Sequence, residues 1–74
     1  MATVRKFETD TLRIAKPQEE VTAVVRLVEC DGEKMIQIDT FGRASREFPG
    51  KLSQTIRLDE AAFRKFVALG DDHF

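Results

Sequence analysis

The sequence predicts an α+β domain in the order β-β-β-β-α, and three observations carry that expectation. Two β-branched runs meet at Asp31-Gly32 in "VTAVVRLVECDGEKMIQIDTF". Further on, "LSQTIRL" alternates apolar with polar residues. Finally, Asp59 opens a stretch whose Ala61, Ala62, Phe63, Phe66, Val67 and Leu69 recur at helical spacing.

The first strand is read at Leu12 and Ile14, which alternate with Arg13 and Lys16, with Phe7 near its beginning and Pro17 at its end. The second and third strands form a hairpin. Asp-Gly suits a two-residue turn with positive φ at both central positions, and that turn sets a register. Cys30 pairs with Glu33, Glu29 with Lys34, Leu27 with Ile36, Val25 with Ile38, and Ala23 with Thr40. Opposed residues share a sheet face, so Ala23, Val25, Leu27, Ile36 and Ile38 gather on an apolar side. The other side is mixed: Thr22, Val24, Arg26, Val28, Met35, Gln37, Asp39 and Phe41. Arg26 lies diagonally from Asp39 there and within pairing reach.

After a Pro49-Gly50 turn comes the fourth strand, with Ile56 and Leu58 toward the core and Thr55 and Arg57 on the mixed face. The helix starts after the N-cap Asp59 and stops at Gly70. Residues 1–6 and 70–74 are expected as loose ends of a single domain spanning 1–74.

A chain of 74 residues buries only a modest share of its surface on folding. One cysteine and one histidine exclude an internal disulfide and leave too few ligands for a Cys/His zinc site. Self-association is the remaining device. Phe63, Phe66 and Val67 are the expected dimer contacts, because a helix this short is unstable alone and its aromatics are large for one small sheet to cover.

No stretch reaches the roughly 18 apolar residues of a membrane span, and the N-terminus lacks a signal-peptide core. An intracellular protein without a membrane partner is expected. The formal charge of −1 is not that of a protein gripping nucleic acid with its whole surface. The basic residues are instead concentrated. Residues 34–57 carry five cations (Lys34, Arg43, Arg46, Lys51, Arg57) against Asp39 and Glu47, while the segments on either side are net acidic.

His73 has no nucleophile near it in sequence, and Cys30 fits a small packed side chain. No phosphate-binding glycine loop, paired catalytic carboxylates or metal spacing is present. A non-enzyme without a cofactor is expected. The constellation that remains is Arg43, Arg46, Lys51 and Arg57 around Phe41 and Phe48, with Ser45, Ser53, Gln54 and Thr55 as hydrogen-bonding groups. Single-stranded nucleic acid asks for this mixture of cations for phosphates, rings for bases and short polar side chains. A solvated charged loop has the same composition, and Phe48 beside Pro49 serves equally as a loop anchor.

The stretch "KMIQIDTFGRASREFPGKLSQTIRLDEAAFRKFVAL" resembles the positive cofactor four family of transcriptional coactivators and their small prokaryotic and phage relatives. The resemblance rests on "IQIDTF", "PGK", "TIRL" and "DEAAF" and covers about Val21 to Leu69. It implies a curved four-stranded antiparallel sheet followed by one helix, dimerised through the helices. It also implies binding of single-stranded or melted DNA along the sheets and loops, in contact with transcription machinery. By position, Phe41 matches the aromatic strand end, Lys51 the basic residue after the turn, and Phe63 the helix aromatic. Asp39 stands where the family carries an arginine. The expected function is sequence-tolerant single-stranded DNA binding by a homodimer. The alternative is a protein-interaction module that receives an acidic peptide on the same face and loop.

Overall fold

Asp31 and Gly32 hold φ angles of 52° and 76°, the left-handed pair that a two-residue hairpin turn demands. The computed structural model describes residues 1–42 and 50–74. Around this turn it builds the two long strands β2 (Ala23–Cys30) and β3 (Glu33–Phe41), counting Ala2–Val4 as β1. The hairpin register runs from Cys30↔Glu33 to Ala23↔Thr40, pair for pair as the turn chemistry predicts.

β4 (Leu52–Leu58) pairs antiparallel with β3 from Ile36↔Leu58 to Thr40↔Gln54. The register then shifts so that Phe41 meets Leu52 and Ser53 is skipped, the signature of a bulge near a strand end. Gly42 N donates to Lys51 O at 2.7 Å and closes this end of the ladder.

The purely antiparallel sheet is not what forms. β1 pairs parallel with β4, through Ala2↔Ile56, Thr3↔Arg57 and Val4↔Leu58, and the strand order is β1-β4-β3-β2. The first strand is therefore Ala2–Val4 at the far edge, from a segment expected to be loose, while Leu12 and Ile14 lie outside any strand and are exposed. Two physical reasons account for the difference. The alternation at Leu12–Ile14 is brief and no tight turn links it to β2, so nothing local fixes that pairing. Val4, by contrast, extends an apolar row already formed by Leu58, Ile36 and Leu27. A parallel pair requires a crossover, which residues 5–22 supply.

Helix α1 (Glu60–His73) starts where Asp59 accepts a hydrogen bond from Ala62 N at 2.8 Å. It continues through Gly70 to His73, and Phe74 N donates to Gly70 O at 2.9 Å. The expected stop at Gly70 fails because glycine inside a helix costs only about 1 kcal/mol relative to alanine. Gly70 has no positive φ to break the turn, and no proline follows.

The core sits where α1 crosses β3 and β4. Leu58 and Ala62 are buried there and Met35 on the opposite face of the sheet, yet among the described residues no large side chain is fully enclosed. Arg5 ties three elements together, donating to Glu33 at 2.6 Å and to Asp59 at 3.2 Å. Phe7 lies on Phe66 with ring centroids 5.8 Å apart, so the crossover is anchored on the helix.

Candidate nucleic-acid interface

The register divides the sheet into two chemically distinct faces. On one, Thr3, Arg57, Gln37 and Arg26 form a row across all four strands, beside a second row of Thr55, Asp39 and Val24. On the other, Ala2, Ile56, Ile38 and Val25 lie beside Val4, Leu58, Ile36 and Leu27. The polar face is the mixed face expected from the hairpin turn.

Its centre is Asp39, only 4 % exposed. A carboxylate so enclosed is tolerated only when its lone pairs are satisfied, and here three strands contribute donors. Arg26 Nε donates to Oδ2 at 2.7 Å, Thr55 Oγ1 to Oδ1 at 2.9 Å, and Gln37 Nε2 to both oxygens at 3.0 and 3.1 Å. The hydrogen bond from Arg26 holds the Asp39 pKa below the ordinary carboxylate value, helped by Thr55 and Gln37 and opposed by burial.

Gln37 passes the arrangement on. Its Oε1 accepts from Arg57 Nε at 2.7 Å. An arginine only donates and an ionised aspartate only accepts, so the amide has one workable orientation between them. Both arginines are thus anchored through Nε, one to Asp39 and one to Gln37. An Nε anchor occupies one of five guanidinium donors. The Arg26 side chain remains 52 % exposed. The face therefore presents two positioned guanidiniums flanking Gln37, with the charge of Asp39 in the next row balanced by Arg26.

Of the residues expected at the site, Arg57 lies in this polar row, and Phe41 is half-buried at the end of β3 on the same face as Asp39. Lys51 and Ser53 are exposed beside it, at the bulged start of β4. Gln54 falls elsewhere: it pairs with Thr40 in a row of the opposite face. Arg43, Ser45, Arg46 and Phe48 lie outside the described residues, as does Pro49 of the predicted turn. Of the expected dimer contacts, Phe63 is half-buried under the Arg64 guanidinium, 5.5 Å from its ring centre, while Phe66 and Val67 are exposed.

Thr55, one of the expected hydrogen-bonding groups, donates to Asp39 here, whereas Arg26 and Gln37 belong to the site although the basic-loop pattern does not single them out. The signal that finds them is the Asp31-Gly32 register, which sets Arg26 opposite Gln37 and diagonal to Asp39. Among the described residues no helix is long and apolar enough to cross a membrane. No family model, curated protein or solved structure matches the chain.

Proposed function

We propose that the protein binds single-stranded DNA with little sequence preference and does so as a homodimer. The observation that carries this reading is the anchored pair Arg26 and Arg57 in one cross-strand row, with Phe41 and Lys51 at the strand end beyond it. Guanidiniums held in place lose little freedom on meeting a phosphate. A sheet offers a broad surface on which unstacked bases can lie against a ring. Duplex suits it poorly, since reading a major groove takes a protruding helix or ribbon. The resemblance to the positive cofactor four family points the same way.

Asp39 is the natural objection, because an anionic residue in a DNA-binding face repels phosphate. Its burial and its bond to Arg26 answer that objection locally. The carboxylate positions a cation and contributes no free negative charge to the surface.

The test is fluorescence anisotropy of a labelled single-stranded oligonucleotide and its duplex at about 50 and 200 mM salt, the range over which phosphate contacts are most readily counted. Wild type is expected to prefer the single strand and to weaken steeply with salt. Arg57→Ala should lower affinity for all sequences and reduce the salt slope by about 1. Phe41→Ala should lose roughly 5- to 150-fold, the equivalent of one stacked base at about 1–3 kcal/mol. Absence of binding at the lower salt, or preference for duplex, would refute the reading.

A further inference from the structure

The face opposite the polar network is apolar, and its β2 edge is uncovered. Val25 and Leu27 of β2 are 61 % and 85 % exposed, although their cross-strand partners Ile38 and Ile36 are half-buried. Leu27 also borders an open groove of about 810 Å³ that Ile36, Leu58 and Phe63 line, between the hairpin and the start of α1.

This uncovered edge is matched by a deficit of the whole chain. The accessible surface is 7002 Å², whereas a folded monomer of this mass exposes about 4,600 Å². The seven residues outside the description can supply at most about 1,100 Å² of the difference, the surface of that length of unfolded chain. The radius of gyration is 14.7 Å, against about 11 Å for a compact chain of this length. With that share removed the excess is still about 1,300 Å², to which the exposed residues 8–22 contribute beside this face, against the roughly 800 Å² that each partner buries in a standard interface.

We infer that a second copy of the chain seats on this apolar face, with Val25 and Leu27 at the centre of a two-fold contact. The inference rests on the self-association proposed above and places it on the sheet. A cover needed for the chain's own stability must be present whenever the chain is, and another copy always is. Charge permits self-pairing as well. The two central rows hold no charged residue, and the row beyond them sets Glu29 opposite Lys34, so a two-fold axis can bring unlike charges together. A lipid surface would call for a cationic rim, which that pair cancels. Self-pairing of this face leaves the polar face outward on both copies.

Sedimentation equilibrium of the full chain tests the placement, comparing wild type with Leu27→Glu. Because Leu27 is exposed in the single chain, the substitution does not disturb that chain's own packing. Wild type is expected to sediment as a dimer at micromolar concentration, with Leu27→Glu raising the dissociation constant at least about 100-fold by burying a charge. A benzophenone amino acid introduced at position 27 should give a covalent dimer on irradiation, and one at the exposed helix position 65 should not. That second measurement decides the matter if circular dichroism finds Leu27→Glu unfolded. Wild type sedimenting at 8.4 kDa would overturn the inference, as would a dimer that resists Leu27→Glu and is not cross-linked from position 27. Arg57→Ala should leave sedimentation unchanged, so failure of the DNA reading and failure of the interface are separate results.

Discussion

At the scale of single residues, Asp39 shows how a buried charge becomes a positioning device. Its donors come from β2, β3 and β4, so the carboxylate joins three strands while directing Arg26. The consequence for pH follows from the sign of the shifts. Asp39 and Asp59 both have folded pKa values below the ordinary one, Asp39 through Arg26 and Asp59 through the Ala62 amide. Their stabilising contribution is therefore complete above the unfolded value near 3.9 and disappears as pH falls through the lower folded values. Thermal melts should be level from neutral pH to about 5 and fall steeply below about 4. Asp39→Asn should lower the neutral melting temperature and flatten the acid decline. An unchanged acid profile in that variant would contradict the role assigned to the network. The diagonal of Arg26 and Asp39 was legible in the sequence once the turn set the register. The burial of Asp39 was not, because it depends on Gln37 and Thr55 closing around it from two strands.

At the scale of elements, the β2–β3 hairpin was readable because its information is local. The Asp31-Gly32 turn fixes one register, and the apolar alternation agrees with it. Gly32, at φ 76° with open space around it, bears its constraint in the backbone alone. Gly32→Ala should thus destabilise by about 1–2 kcal/mol, measured by urea denaturation with an unchanged m-value. A neutral substitution would show that the turn does not hold the left-handed geometry. The first strand was not readable, since three residues carry too little pattern and its partner β4 is remote in sequence. Leu12 and Ile14 looked more strand-like than Thr3 and Val4, yet no tight turn delivers them to an edge. The helix end was misplaced for a related reason: glycine permits a stop without requiring one.

At the scale of the whole molecule, the sheet separates two tasks. One face satisfies its polar groups internally and presents arginines. The other leaves Val25 and Leu27 uncovered and gives the chain a reason to pair. Composition alone concealed this division, because the net charge of −1 averages over surfaces of opposite character. Of the expected site positions, Arg57, Phe41 and Lys51 lie along one face and its end, while the hydrogen-bonding Gln54 belongs to the other. Parity along β4 separates Gln54 from Arg57, and that parity was available from the sequence. The bulge that skips Ser53 was not, since it arises from how β4 leaves the ladder.

The measurement that most directly tests the central claim, that the polar face is the single-strand surface, is an NMR titration of the labelled protein with a short single-stranded DNA at low salt. The side-chain signals of Arg26 and Arg57 Nε–H, the Gln37 amide and the Phe41 ring should shift with a common saturation curve, while the methyls of Val25, Leu27 and Ile36 stay in place. Shifts confined to the apolar face, or none at all, would contradict it.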